Sequence, residues 1–214
     1  MTIVRKDIRL VFPTPLFRYD LAPETAKEIE DAFLGAIAEV LDIRRLAPAQ
    51  VVQTQTDLHR SPRYRTLCAV ALSAVRGAGI ACGWKDADYV MTGLWLNIGT
   101  KGHGHRPHTH PNNIFSGVYY VRVAEGANKI SFEDPRGQSS MVRMKGEKTT
   151  FVYDTFTEKV RNGAMLLFPS WLRHFVPASE SDEPRISASF NFMVRDFEEH
   201  HSVPEWQGNL KLPS

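Results

Sequence analysis

The chain has 214 residues, 43% of them hydrophobic and 23% charged, values that suit one folded domain and exclude a disordered or fibrous protein. Lys and Arg number 26 against 24 Asp and Glu, a formal net charge of +2, too near neutral for nucleic-acid binding driven by charge. The two cysteines, Cys68 and Cys82, are too few for a disulfide scaffold and are expected to be reduced thiols in an apolar segment.

The first residues carry Arg5, Lys6, Asp7 and Arg9, and no long apolar run follows. Neither a signal peptide nor a membrane span is expected, and a cytoplasmic location is the default. Residues 8–19, broken by Pro13 and Pro15, read as an edge strand. Ile29, Phe33, Ile37 and Leu41 then recur every four residues behind a Thr25-x-x-Glu28 capping box, the pattern of an amphipathic helix. A second helix opens at Ser61-Pro62 and runs through Leu67, Val70, Ala71 and Val75 towards Gly77 and Gly79.

The pattern changes near residue 88. Strands are expected at 89–98, 115–123, 129–132, 149–153, 164–168, 174–176 and 185–194, separated by Gly, Pro, Asn and Asp turn signals. Helices followed by many short strands imply a mainly β fold with N-terminal helices (α+β), a sandwich or barrel buttressed on one sheet. Without repeats or linkers, 1–214 reads as a single domain: an N-terminal strand and supporting helices over 1–87, a β core over 88–196 and a tail over 197–214.

Two strands have an unusual second face. In 185–194, Ile186, Ala188, Phe190, Phe192 and Val194 make one apolar face, while Arg185, Ser187, Ser189 and Asn191 share the other by the period of two. At the end of 89–98, Trp95 and Asn97 lie opposite Leu94, Leu96 and Ile98. Two polar faces of this kind point to a lined pocket.

Five of the eight histidines belong to one stretch or to its distant partner. His108 and His110 sit two apart, so a strand would project both to one side while Thr109 points away. His174 is the distant histidine embedded in a strand, and three imidazoles suit iron, zinc, copper or nickel. His103 and His105 are expected in a loop, and His59, His200 and His201 have no assigned role. Eleven residues after His174, Arg185 and Ser187 share the polar face, and a guanidinium beside a hydroxyl suits a carboxylate.

These pieces in order are Trp95-Leu96-Asn97, Pro107-His108-Thr109-His110-Pro111, Ser116-Gly117-Val118-Tyr119-Tyr120, residues 163–174 and residues 185–191. Over roughly residues 90–195 the set resembles the 2-oxoglutarate- and iron(II)-dependent oxygenases, in particular a small group with a His-x-His-Pro segment. The resemblance implies a double-stranded β-helix (a jelly-roll or cupin-like barrel) and an enzyme that couples 2-oxoglutarate decarboxylation to oxidation, most simply hydroxylation, of a substrate by O2. It implies Fe(II) on His108, His110 and His174, with 2-oxoglutarate contacted by Arg185, Ser187, Asn97 and a tyrosine, Tyr119 or else Tyr120. Most members present Asp or Glu where His110 stands, so the ligand set here lacks one negative charge. On the residues alone two rivals stand: a three-His cupin-type dioxygenase without 2-oxoglutarate, and a non-catalytic jelly-roll module for binding or assembly. A small-molecule or peptidyl substrate fits better than nucleic acid, no membrane partner is expected, and a homo-oligomer is compatible with the sequence.

Overall fold

The computed structural model describes residues 7–85, 87–137, 141 and 154–197, and the expected strand at 149–153 and nearly all of the 197–214 tail lie outside them. Two helices, α1 (Pro23–Val40) and α2 (Arg65–Ala81), pack on a six-stranded antiparallel sheet, which faces a second sheet of four strands. No helix among the described residues is long and apolar enough to cross a membrane.

Helix α1 buries Ile29, Phe33 and Ile37, the stripe expected from the sequence. Its start differs from the expected capping box. Ala22 is the cap and makes no side-chain bond, and Pro23 fills the first helical position, where its fixed φ and missing N–H cost nothing. Ser61 does accept a bond, from the Arg63 amide, but it caps a single 3-10 turn (Pro62–Tyr64) that leads directly into α2. Helix α2 continues past Gly77 and Gly79 to Ala81. Gly79 serves packing instead of termination: a Cβ there would lie 2.0 Å from the Tyr89 hydroxyl oxygen.

The large sheet runs β1 (Phe17–Asp20), β8 (Ala164–Pro169), β5 (Phe115–Arg122), β10 (Arg185–Val194), β3 (Tyr89–Gly99) and β2 (Val51–Gln53). The small sheet runs β4 (His105–His108), β9 (His174–Val176), β6 (Lys129–Glu133) and β7 (Thr155–Lys159). Strand β1 is shorter than the expected 8–19 stretch and holds one edge of the large sheet, pairing only with β8. Strands β2 and β7 were not expected, β2 being short and β7 a charged edge strand with no apolar alternation, while the strand expected to carry His108 and His110 is β4, which ends at His108.

Two apolar clusters result. Leu94, Leu96, Ile98, Ile186, Ala188, Phe190, Phe192 and Val194 meet the helices, as the period of two requires. Val118, Tyr120, Ile130, Phe132, Leu166 and Phe168 fill part of the space between the two sheets. The rest of that space is a cavity. The architecture, two antiparallel sheets face to face with helices behind the larger, is a double-stranded β-helix.

Candidate metal centre and co-substrate pocket

The cavity between the sheets has a volume of roughly 290 Å³, at the lower end for small-molecule sites. Its walls include Trp95, Asn97, His105, His108, His110, His174, Arg185, Ser187 and Ser189. The polar face expected of β10 and the Trp95/Asn97 face of β3 therefore do line a pocket. They adjoin because Ser187 pairs with Asn97 and Ser189 with Trp95 across the β10–β3 ladder.

His108 and His174 are cross-strand partners in the β4–β9 ladder, which sets their rings 4.4 Å apart between centroids. Each ring is fixed in the same way: Nδ1 lies 2.8 Å from the Arg106 carbonyl in His108, and 2.9 Å from the Leu172 carbonyl in His174. A carbonyl only accepts, so Nδ1 carries the proton and Nε2 is left with its lone pair for a metal. His110 lies beyond the end of β4, so the expected continuous strand does not carry it. Its amide donates to the Ser170 carbonyl at 3.0 Å, which turns the chain back and sets its ring 5.0 Å from His108 and 5.2 Å from His174. One ligand nitrogen from each of the three lies within 4.8 Å of the others, the only such group of His, Cys, Asp or Glu among the described residues. Burial pushes both His110 and His174 down to about 4, which keeps them neutral, as ligands must be.

The Ser170 carbonyl is itself held. The Ser116 hydroxyl donates to Asn191 Oδ1 at 2.7 Å and receives a bond from the Ser170 hydroxyl at 2.8 Å. The loop carrying His110 is thus tied to β5 and β10.

Arg185 lies at the opposite end of the wall. It is 8% exposed, and its Nη1 donates to the carbonyls of Ala127 and Lys129 at 2.9 and 2.8 Å. Its guanidinium carbon stands 5.1 Å from the centroid of the Tyr120 ring. Among the described residues no carboxylate lies within ion-pair distance of it. A buried cation without an anion costs several kcal/mol, which the two carbonyl bonds offset only in part. Asn97 donates to the Ser189 hydroxyl at 3.1 Å, while its Oδ1 is buried without a partner.

Residues 93–191 match the family model described as "Putative 2OG-Fe(II) oxygenase", a stretch that holds all three histidines and Arg185. This stretch, 99 of the 214 residues, is similar to the 2OG-Fe(II) oxygenase family. No curated protein matches its sequence. Solved structures share the oxygenase fold. HygX from Streptomyces hygroscopicus, with nickel and 2-oxoglutarate bound, aligns over 86% of this chain and 84% of its own at 13% identity and a TM-score of 0.59. A prolyl-4-hydroxylase from Pseudomonas putida aligns over 85% and 94% at 14% identity (TM-score 0.55). A prolyl hydroxylase from Trichoplax adhaerens, in complex with a hypoxia inducible factor peptide, aligns over 83% of both chains at 12% identity (TM-score 0.54).

Against this oxygenase frame, one expected co-substrate contact is corrected. Tyr119 faces the helices, where its hydroxyl donates to the Ala26 carbonyl at 3.3 Å and burial pushes its pKa up to about 12. The neighbouring Tyr120, on the opposite face of β5, is the tyrosine beside Arg185. It is fully buried against that guanidinium, and burial pushes its pKa, too, up to about 12. Trp171 is 56% exposed and does not wall the cavity. The residues not anticipated are Gln53, which reaches the cavity from β2, and His105, expected in a loop but opening β4.

Proposed function

We propose that the protein is an Fe(II)- and 2-oxoglutarate-dependent hydroxylase in which His108, His110 and His174 hold the metal and Arg185, with Ser187 and Asn97, holds the far carboxylate of 2-oxoglutarate. The observation that carries this reading is the pairing, in one cavity, of a neutral three-nitrogen ligand set with a buried guanidinium that has no carboxylate partner among the described residues. The donor set fits iron(II): three borderline imidazoles, two with their protons fixed on Nδ1 by backbone carbonyls. When bound, iron and 2-oxoglutarate supply the oxidising chemistry, with release of succinate and carbon dioxide.

The residues of the chain bind and orient. Three neutral ligands leave the ferrous centre at +2, and the dianionic co-substrate balances that charge where the usual carboxylate ligand would have halved it. Arg185 takes the remote carboxylate, and the hydroxyl of Ser187, 4% exposed on the same strand face, lies in the same wall. Val118, Ile130 and Phe168 line the cavity and reduce its water content, which strengthens these polar contacts.

HygX has been crystallised with hygromycin B and the Trichoplax enzyme with a peptide. Among the described residues no carboxylate lines the cavity, and a small molecule or a peptidyl side chain entering beside Gln53 and Trp95 is the substrate class proposed. Incubation with Fe(II), 2-oxoglutarate and O2 tests the reading. Succinate should form in step with oxygen consumption, even slowly without a substrate. Oxygen consumption without succinate would favour the three-His dioxygenase, and neither would favour a binding module.

A further inference from the structure

His105 lies three residues before His108 in β4, and a regular strand would turn the two to opposite faces. Both nevertheless line the cavity. The β4–β9 ladder explains how: its register shifts between the His105–Val176 and His108–His174 pairs, an irregularity of the kind that re-aims a side chain beside a site. The ring of His105 is held edge-on against His103 at 4.9 Å between centroids. His103 is pinned in turn, its amide donating to Thr100 and its carbonyl accepting from Ser179, with its ring against Gly99, the cross-strand partner of Arg185. Among the described residues neither ring nitrogen of His105 has a hydrogen-bond partner.

His105 also lines, with Asn97, Val176, Arg185 and Ser187, a small chamber of roughly 20 Å³ behind the main cavity. The same five residues border both spaces, so His105 belongs to the Arg185 end of the pocket as well as to the histidine end. Its ring centroid is 6.4 Å from that of His108, farther than any pair within the triad. It also falls outside the group whose ligand atoms converge. A histidine displaced from the metal cluster, rigidly backed, unpartnered and bordering a buried guanidinium is placed for the same anion as that guanidinium.

We infer that His105 is a co-substrate-binding residue, its imidazole N–H donating to the carboxylate of 2-oxoglutarate remote from the metal, beside Arg185. This rests on the oxygenase reading above and adds a second donor to the remote-carboxylate subsite. The ring contributes a directional bond, and Arg185 contributes the charge.

The test measures binding of two 2-oxo acids to the Fe(II)-loaded protein under nitrogen, by the visible absorbance of the chelate. One is 2-oxoglutarate and the other is 2-oxobutyrate, which keeps the chelating end and lacks the remote carboxylate. His105→Phe should raise the Kd for 2-oxoglutarate about tenfold or more, the value of one hydrogen bond to a charged group. It should leave iron occupancy and the Kd for 2-oxobutyrate unchanged. His105→Gln, which retains an N–H, should recover most of the loss. Equal weakening of both acids, reduced iron occupancy, or no change at all would overturn the inference while leaving the oxygenase reading intact. Failure of the wild-type protein to bind 2-oxoglutarate would overturn both.

Discussion

Replacing Arg185 by Met separates a ligand-binding guanidinium from a structural one. In the free protein two effects oppose each other. The variant loses a buried cation that has no anion, which relieves a penalty of several kcal/mol. It also leaves the Ala127 and Lys129 carbonyls without a donor, at about 1–3 kcal/mol each. The terms are of similar size, so the melting temperature of the metal-loaded protein should move by only a few degrees. With 2-oxoglutarate the outcome differs. At a concentration 100 times its Kd the ligand stabilises the wild type by about 2.7 kcal/mol, which corresponds to roughly 5–10 °C for a chain of this size. Losing a buried carboxylate partner costs about 2–5 kcal/mol, or roughly 30- to several-thousand-fold in affinity, so at the same concentration the variant should keep about a third of the shift at most. Differential scanning fluorimetry with Mn(II) or Zn(II) as a redox-inert metal reads both quantities. A variant that melts far below the wild type yet keeps the full ligand shift would refute the assignment and make Arg185 a structural brace.

Acidification tests the buried imidazoles. His105, His110 and His174 are held neutral in the fold with pKa values near 4, whereas in the unfolded chain they titrate near 6.5. Between those values the unfolded state binds more protons, so stability should be full above pH 6.5 and fall as pH drops from about 6.5 to 4. The urea midpoint of the metal-free protein measured across that window should decline steadily, and a flat profile would contradict the burial of these three imidazoles. Gly79→Ala places a methyl against Tyr89 and should destabilise by about 1–3 kcal/mol despite the better helix propensity of alanine. Because the nearest atom is the Tyr89 hydroxyl oxygen, a Gly79→Ala/Tyr89→Phe pair should recover part of the loss in chemical denaturation. Ser170→Ala breaks the chain of hydroxyls joining Ser116 to the His110 loop, and should weaken metal binding measured by chelator competition while leaving the fold's circular dichroism unchanged.

The features legible in the sequence are those that depend on alternation along one strand. The two faces of β10, and with them the placement of Arg185 and Ser187, follow from a period of two, because that strand is central and continuous: at its two register shifts the extra residue lies on the partner, Val121 on β5 and Thr92 on β3. His108 and His174 were legible as types, although their pairing across β4 and β9 was not. What escaped the sequence depends on where strands break or shift. Tyr119 and Tyr120 are adjacent, and only the register of β5 against β8 and β10 decides which faces the helices and which lies beside Arg185. His105 sits at the wrong spacing for its face until the ladder slips between it and His108. His110 reaches the cluster through a carbonyl 60 residues away, at Ser170, not through strand geometry. At the first helix, Thr25 and Glu28 satisfied the capping pattern, but Pro23 two residues earlier had already fixed the helical backbone.

The central claim is that one cavity chelates iron through three histidines and anchors 2-oxoglutarate through Arg185. An anaerobic titration of the protein with Fe(II) and then 2-oxoglutarate tests it most directly. A visible charge-transfer band should grow to one equivalent of each, vanish in His108→Ala, and need far more 2-oxoglutarate in Arg185→Met. A wild-type protein that binds iron yet shows no band at any 2-oxoglutarate concentration would contradict the claim.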